Sequence, residues 1–379
     1  MSDLFLSSYI QVAVESDANM SASSTSTMDA KCAFLFVLCF STGFCLQCLD
    51  NDGKAVDWYS VYKYPRVRSP KSLIFKEGLA FVYLDVRNPQ WELSKTPINA
   101  TGNAVYNTLQ QIYKSKGESI MYMMYNDEHP EGLETDHNGH TKGVVAFDRT
   151  SGFWMIHSSP KFPPARKFSY NWTAHDNGQT VLCISFPFKQ LQNIGTQLLY
   201  NEPTIYDYVL PADFARDFPV LKKVIDRQHP LGPPWSSVLK LSSLGGETFV
   251  SFAKSYKFGA DLYDALVAPT LKNDLLVETW LRTEGTKLPS NCSAHYKVFK
   301  VTGISLPGPV FFKETKDHAK WAASYVKNVS NMSSVPWTCI GDINRMESQF
   351  HRGGGTVCLQ NLGMWKAFNN SVNSFDSCH

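Results

Sequence analysis

Short apolar runs that alternate with turn residues are the main pattern along the chain, and they predict β-strands. Six of these runs are rich in β-branched and aromatic residues and are bounded by Gly, Pro or Asp. They read SIMYMMYND, GVVAFD, GFWMIHSSP, TVLCISFPF, DLLVETWLR and WTCIGDINR. The segment DRTSG between the second and third runs predicts a hairpin turn, with Asp148 as a turn residue.

Two other segments have apolar residues at helical spacing. Thr101–Lys116 has them three or four positions apart and predicts one helix. Glu247–Leu271 predicts two helices that are broken at Gly259. The combination of strands and helices predicts an α/β or α+β fold.

The beginning of the chain differs in composition from the rest. Residues 1–27 look structureless, and residues 28–47 resemble a secretory signal peptide, with one lysine, an apolar stretch and then small residues. The apolar stretch is short for a bilayer span, and a buried helix is the alternative reading. Because a signal peptide begins near its start codon, Met28 is a candidate start and residues 1–27 are a candidate gene-model extension. We expect cleavage between Cys45 and Cys48.

Cysteines and glycosylation sequons in the remainder indicate an exported protein. Removal of the leader leaves six cysteines, which can form three disulfides in connectivities that the sequence leaves open. They have no CxxC spacing, so a zinc site is not indicated. Six N-x-S/T sequons add evidence for a glycosylated protein that is lumenal or extracellular. The sequons are at Asn99, Asn171, Asn291, Asn328, Asn331 and Asn369.

Composition and charge narrow the functional classes. With 18% charged and 13% aromatic residues, the chain is typical of a folded globular protein and unlike a disordered one. Its 379 residues suffice for one large domain or two medium ones. The formal net charge of +2 gives no whole-chain electrostatic basis for binding nucleic acid, so any anion site must be local.

Two histidine–lysine pairs with the same spacing are the main candidates for chemistry. His140 and Lys142 lie in GHTKG, and His318 and Lys320 lie in DHAKW. On a strand, residues i and i+2 project from the same face, so each pair aims an imidazole and an ammonium at one point. A lysine neutralises phosphate oxygens, and a histidine attacks phosphorus or transfers a proton. One pair alone favours a solvated surface pair, but a pair in each half favours one site between two similar lobes.

Residues beside the pairs extend the candidate site. Gly139 and Gly143 flank the first pair and would leave room for a ligand. His157 and Asn344 lie in polar segments that follow apolar runs, and both are candidate supporting residues of the site. His157 is equally interpretable as a buried structural histidine.

Blocks of sequence along the chain after the leader resemble the deoxyribonuclease II family, in that family's order. They are VDWYSVYKYP, MYNDE, GHTKG, GFWMIHSSPKFPP, GQTVLCISFPF, SFAKSYKFGADLYD, LPSNCS, DHAKW, PWTCIGDINR and RGGGTVC. The resemblance implies a phospholipase-D-like fold in one catalytic domain, residues 48–379. Two pseudosymmetric lobes, at roughly 48–230 and 231–379, would hold the active site between them.

The same resemblance implies a reaction. The enzyme would be a metal-independent acid endodeoxyribonuclease without a cofactor, acting on double-stranded DNA. It would grip the phosphate backbone with little sequence specificity. Its products would have 3′-phosphate and 5′-hydroxyl ends, formed through a phosphohistidine intermediate.

Residue roles follow from motif position in that family. His140 and Lys142 match the first catalytic pair, and His318 and Lys320 match the second. Analogy with phospholipase D favours His140 as the nucleophile and His318 as the acid, although the sequence leaves the order open. The resemblance also implies disulfides between Cys48 and Cys183, Cys292 and Cys378, and Cys339 and Cys358.

Two departures from the family pattern and several other readings bear on activity. Lys161 stands where family members often have another residue, and residues 128–139 are acidic, but neither departure removes a catalytic side chain. The intact pairs favour an active enzyme over a catalytically silent DNA-binding or host-interaction glycoprotein. A phospholipase-D-type phosphodiesterase would use the same chemistry, and a metal-dependent nuclease is least favoured because no carboxylate cluster accompanies the histidines. The sequence indicates neither an oligomeric state nor a choice between lysosome and secretion.

Overall fold

The computed structural model describes most of the chain after the leader as one compact unit. The predicted cleavage region begins to be described only at Cys45, so the rest of the leader lies outside the described residues. None of the helices in the described part is long and apolar enough to cross a membrane. The described residues are 45–67, 72–115, 120–132, 138–170, 172–280, 286–308, 310–327, 330, 332 and 334–378.

Strands outnumber helices in the described part. The strands are β1 Cys48–Leu49, β2 Ala55–Val56, β3 Trp58–Lys63, β4 Phe81–Asp85, β5 Glu92–Leu93, β6 Met121–Asn126, β7 Lys142–Phe147, β8 Ser151–His157, β9 Gln179–Pro187, β10 Ile205–Val209, β11 Ser236–Ser242, β12 Thr248–Lys254, β13 Leu275–Glu278, β14 Val298–Leu306, β15 Val310–Lys313, β16 Trp321–Ser324, β17 Trp337–Gly341, β18 Gly354–Gln360 and β19 Val372–Phe375. The α-helices are α1 Leu73–Lys76, α2 Ala104–Lys114, α3 Leu191–Asn201, α4 Ala212–Asp217, α5 Pro219–Ile225, α6 Ala268–Leu271 and α7 Leu362–Ser371.

Two large sheets, one from each half of the chain, contain nearly all of these strands. The first has the order β10-β6-β7-β8-β9-β3-β4-β5. The second has the order β11-β12-β18-β17-β16-β13-β14-β15, and β19 also pairs with β14. The remaining strands, β1 and β2, form a small antiparallel pair.

The two large sheets share a connection order through their centres. The first contains the run β6-β7-β8-β9-β3, and the second contains β13-β16-β17-β18-β12. In each run the second strand begins at or directly after the lysine of a histidine–lysine pair, and the strand at the end of the run precedes the others in the chain. A helix, α3 or α7, follows the fourth strand of each run. The same order therefore occurs twice, although the sequence shows no repeat beyond the histidine–lysine motifs.

The sheets face each other across one hydrophobic core. Trp154 of β8 and Ile340 of β17 are buried in the same cluster. Consecutive residues of β7 point to opposite sides, with Val145 in this shared core and Val144 in a second cluster beneath α2. A third cluster packs the outer face of the second sheet against α6. Strands that are covered on both faces read as continuous apolar runs, which is why those runs dominate the sequence.

The predicted strands and the first predicted helix are confirmed. Each of the six apolar runs contains a strand, and α2 lies inside the predicted helix. Asp148 is a turn residue, because its Oδ1 accepts from the backbone N–H groups of Thr150 and Ser151 at 2.6 and 2.9 Å. The mixed class of helix and sheet is also confirmed.

The prediction of two helices in Glu247–Leu271 is wrong for its first half. Thr248–Lys254 is β12, which lies between β11 and β18 and is buried at all but its first residue. Burial on both faces removes the alternation that identifies a strand, so the run was mistaken for a helix. The second half does turn helically, with a π-helical turn at Tyr263–Val267 before α6.

Three disulfides link distant parts of the chain. They join Cys48 to Cys183, Cys292 to Cys378, and Cys339 to Cys358. These are the pairs that the family resemblance implies. The first ties β1 to β9, and the third joins the neighbouring strands β17 and β18.

Candidate active site

Both histidine–lysine pairs are buried at the starts of central strands. Lys142 is the first residue of β7, and Lys320 directly precedes β16. Both lysines are fully buried, and His140 and His318 are 6% and 7% exposed. The reading of either pair as a solvated surface pair is therefore wrong.

Each histidine backbone is anchored by a glycine from the other half of the chain. The N–H of His140 donates to the carbonyl of Gly353 at 2.9 Å, just before β18. The N–H of His318 donates to the carbonyl of Gly178 at 2.8 Å, just before β9. Because β9 and β18 hold the same place in the two runs, the two contacts are reciprocal. This exchange joins the pairs across the interface between the sheets.

The four side chains share one electrostatic environment. Burial lowers the pKa of His318 well below its usual value, and the charges of Lys320, Lys142 and His140 lower it further. Burial also lowers the pKa of Lys320 well below its usual value, with Lys142 adding to the effect. The charges of each pair thus act on the other pair.

Asp127 is the counter-charge of the first pair. Its carboxylate accepts a hydrogen bond from Lys142 Nζ and lies 3.4 Å from an Arg352 guanidinium nitrogen. It also lies 3.7 Å from His140 Nε2. Burial alone would raise the pKa of Asp127, but the neighbouring charges of Lys142, His140 and Arg352 lower it below its usual value. In the folded protein the carboxylate is therefore ionised at moderately acid pH.

The two imidazole rings make further contacts across the interface. His140 Nδ1 lies 2.7 Å from Gln349 Oε1 in the second half of the chain. His318 Nδ1 lies 2.9 Å from the carbonyl oxygen of Ser158 and 3.3 Å from Gln179 Oε1 in the first half. Ring orientation in each half thus depends on the other half.

The glycines beside the first pair do not leave room for a ligand, contrary to expectation. A Cβ at Gly139 would lie 1.8 Å from the carbonyl oxygen of Asn201. A Cβ at Gly143 would lie 2.3 Å from the Tyr125 hydroxyl. Protein atoms fill the space, so these glycines allow the backbone to approach α3 and β6 closely.

The supporting residues His157 and Asn344 are buried near the pairs. His157 is fully buried, and burial together with the charge of Lys142 lowers its pKa to about 3. Within the described residues, neither ring nitrogen of His157 makes a hydrogen bond of good geometry, although the backbone of Ser159 lies near enough to raise its pKa slightly. The amide of Asn344 is likewise buried and unpartnered there. Buried polar groups without partners are costly, which is consistent with a role for these side chains in the site.

Sequence reasoning missed several residues that orient the pairs. Asp127 lies in the MYNDE block, and the pairing of Asn126 with Lys142 brings it beside the first pair. Gln349, Gln179 and Trp280 were also missed, and the Trp280 ring lies 5.0 Å from the His318 ring. A signal for Asp127 existed, because a carboxylate directly after a strand that neighbours GHTKG is placed to meet its lysine.

The arrangement can hold an anion and act on it. Lys142 and Arg352 both pair with the single carboxylate of Asp127, which leaves positive charge for a bound phosphate. Two imidazoles in the same site can divide the roles of nucleophile and proton donor.

Comparison with known proteins finds one matching family and several similar proteins. The family described as Deoxyribonuclease II matches residues 47–378. Plancitoxin-1 from Acanthaster planci is 44% identical over 342 residues, which cover 89% of this chain and 94% of plancitoxin-1. Deoxyribonuclease-2-alpha from Sus scrofa is 41% identical over 341 residues, covering 88% of this chain and 91% of that protein. Deoxyribonuclease-2 from Caenorhabditis elegans is 40% identical over 364 residues, which cover 88% of this chain and 95% of that protein.

Proposed function

The chain belongs to the deoxyribonuclease II family, and on that premise we propose that this deoxyribonuclease cuts double-stranded DNA at acid pH without a metal ion. The observation that carries the proposal is the reciprocal anchoring of two buried histidine–lysine pairs across the interface between the sheets. A phosphodiester held there would meet a nucleophile and a proton donor from different halves of the chain. We propose His140, Lys142, His318 and Lys320 as the catalytic residues, with support from His157 and Asn344.

Cleavage would proceed in two steps through a phosphohistidine. One neutral imidazole attacks phosphorus, and the other imidazole, as imidazolium, donates its proton to the departing 5′ oxygen. Water then attacks the phosphohistidine while the second histidine accepts a proton from it. Lys142 and Lys320 stabilise the charge on the non-bridging oxygens in both steps. The products carry 3′-phosphate and 5′-hydroxyl ends.

The acid optimum follows from the surroundings of the histidines. Burial lowers the pKa of both His140 and His318 well below the usual value. A proton donor of this kind is charged only at acid pH or when an anionic substrate raises its pKa. Activity should therefore fall as the pH rises toward neutrality.

The proposed architecture is a phospholipase-D-like fold with two pseudosymmetric lobes. The shared connection order of the two sheets supports it. The strands of the first large sheet lie between residues 58 and 209, and those of the second lie between 236 and 375. These limits fit the expected lobes at 48–230 and 231–379.

We further propose that the protein is lysosomal or secreted. The three disulfides support an oxidising compartment. Among the predicted glycosylation sites, Asn99 is exposed and Asn291 and Asn369 are half-buried. The other predicted sites, at Asn171, Asn328 and Asn331, lie outside the described residues.

Plasmid cleavage tests the function directly. Purified protein is incubated with supercoiled plasmid from acid to neutral pH in excess chelator, and the ends are labelled before and after phosphatase treatment. We expect chelator-resistant cutting at acid pH and 5′ ends that accept phosphate from a kinase without phosphatase. Loss of cutting in chelator, retention of DNA without cutting, or 5′-phosphate ends would contradict the proposal. Choline release from phosphatidylcholine vesicles, measured in parallel, would instead indicate a lipid phosphodiesterase.

A further inference from the structure

The side-chain environments of the two histidines differ, although their backbones are held in the same way. Both ring nitrogens of His140 face acceptor oxygens. Nδ1 lies 2.7 Å from Gln349 Oε1, and Nε2 lies 3.7 Å from Asp127 Oδ2. An imidazolium has two N–H donors and therefore suits this environment. At 3.7 Å, Nε2–H is not committed to the carboxylate and remains able to donate elsewhere.

His318 has the opposite surroundings. Its Nδ1 lies 2.9 Å from the carbonyl oxygen of Ser158, which can only accept, and this contact favours the tautomer with the proton on Nδ1 and the lone pair on Nε2. The ammonium of Lys320 lies 2.9 Å from Nδ1 and 3.2 Å from Nε2 of the same ring. Its charge opposes a second proton on His318. This environment suits a neutral imidazole.

The second half has an aromatic ring where the first half has the carboxylate. The strand pairing in each sheet gives the position opposite the lysine of each pair. Asp127 directly follows that position in the first sheet, and Trp280 directly follows it in the second, so Trp280 is the counterpart of Asp127. The Trp280 ring packs edge-on at 5.0 Å from the His318 ring. An indole supplies no negative charge to stabilise an imidazolium as Asp127 does for His140.

We propose that His318 is the nucleophile and His140 is the general acid, with Asp127 as the positioning residue whose carboxylate favours the protonated form of His140. This assignment rests on the proposed function. It reverses the order that analogy with phospholipase D favours.

The atoms balance in both steps. The lone pair on His318 Nε2 forms the P–N bond as the P–O5′ bond breaks, and the proton of His140 Nε2 moves to O5′. In the second step His140 takes a proton from water, whose oxygen bonds to phosphorus. The P–N electron pair returns to His318, and the 3′-phosphate is released.

An activated substrate separates the two roles. In thymidine 3′-(4-nitrophenyl phosphate), 4-nitrophenolate leaves without protonation, so the nucleophile is needed but the general acid is not. We expect His140→Ala to release a burst of one 4-nitrophenolate per enzyme and then to stall, because its second step lacks a base. On DNA the same variant should lose about 10²–10⁴-fold in rate. His318→Ala should give no burst with the ester and should not cut DNA.

Controls distinguish the assignment from the function itself. The exposed His295, changed to Ala, should match wild type on both substrates. If wild-type protein fails to cut DNA, the proposed function falls and the assignment falls with it. If wild type cuts DNA but the burst comes from His318→Ala, only the assignment is overturned.

Mapping the adduct covers the case in which the buried variants do not fold. Wild-type protein is mixed with the activated ester, quenched in alkali to preserve phosphohistidine, and digested for mass spectrometry. The nucleotide should be on the peptide that contains His318. An adduct on His140 would overturn the assignment.

The charge of Asp127 gives an independent test through the pH profile. The charged groups that act on His140 are Asp127, Lys142, Arg352 and Lys320, and Asp127 alone among them raises its pKa. Asp127→Asn should move the limb where activity falls with rising pH to lower pH, by roughly one unit or more. Asp226→Asn, in a surface pair with Lys222, should leave the limb in place. If His140 were the nucleophile, Asp127→Asn would instead extend activity to lower pH and leave that limb unmoved.

Discussion

Individual residues hold the first histidine in place through very close backbone packing. The segment before His140 runs against the C-terminal end of α3, where the N–H of Gly139 donates to the carbonyl of Glu202 at 2.8 Å. A side chain at Gly139 would overlap the Asn201 carbonyl. The glycine is therefore a requirement of close packing, since no left-handed backbone angle occurs there.

We expect Gly139→Ala to lower the free energy of unfolding by about 1–3 kcal/mol and to reduce DNA cleavage, because the backbone of His140 must shift. Gly232→Ala is the matched control, since nothing lies within 4 Å of a Cβ at that position. Urea unfolding and plasmid cleavage of both variants provide the measurements. Equal stability of the two variants would show that the segment relaxes freely.

Elements are tied together by disulfides of very different span. Cys48–Cys183 closes 135 residues and fastens the two-residue strand β1 to β9. Cys339–Cys358 closes 19 residues between strands that already pair in register. In the chain-entropy model, the longer loop constrains the unfolded state more.

Removing the long-range disulfide should therefore cost more stability. We expect about 5 kcal/mol for the double change Cys48→Ser and Cys183→Ser, against about 3 kcal/mol for Cys339→Ser and Cys358→Ser. Thermal and urea unfolding of the two double variants would measure the difference. A larger loss from the short-range pair would indicate that strain or solvation, and not chain entropy, dominates.

Some strands and helices could be predicted from the sequence, and others could not. Strands were predictable because burial on both faces makes them apolar throughout, and α2 was predictable because only one side of it is covered. β12 was misread because its apolar run had no alternation. The pairs were found from spacing within five residues, whereas Asp127, Gln349 and Ser158 depend on strand register and on contacts between the halves. Such contacts cannot be deduced from local patterns.

The molecule as a whole contains buried carboxyl groups suited to acid pH. Burial raises the pKa of Asp342 to about 7 and that of Asp317 to about 6. In the folded state these groups keep protons that the unfolded chain releases above pH ~4. Their contribution to stability is present at low pH and is lost as the pH rises through their folded pKa values. His157, with its lowered pKa, acts in the opposite direction and destabilises the fold as the pH falls toward 3.

Wild-type protein therefore loses stability as Asp342 ionises on the way to neutral pH, and the Asp342→Asn variant should not show this part of the loss. The amide still accepts from the Gly355 N–H, as the carboxyl group does at 3.2 Å. We expect the free energy of unfolding of the variant, relative to wild type, to rise by up to roughly 4 kcal/mol between pH 4 and 7. Urea unfolding at several pH values measures this. A difference that does not change with pH would mean that Asp342 is ionised in the folded protein.

The central claim is that two histidines from different halves of the chain form one catalytic site. It is tested most directly by the DNA cleavage rates of His140→Ala, His318→Ala and the double variant, measured in chelator at acid pH on samples shown to be folded. Residues that act as a unit are not additive, so we expect each single change to remove nearly all activity and the double change to cost little more. Near-wild-type cutting by either single variant would contradict the claim, as would losses that multiply in the double variant.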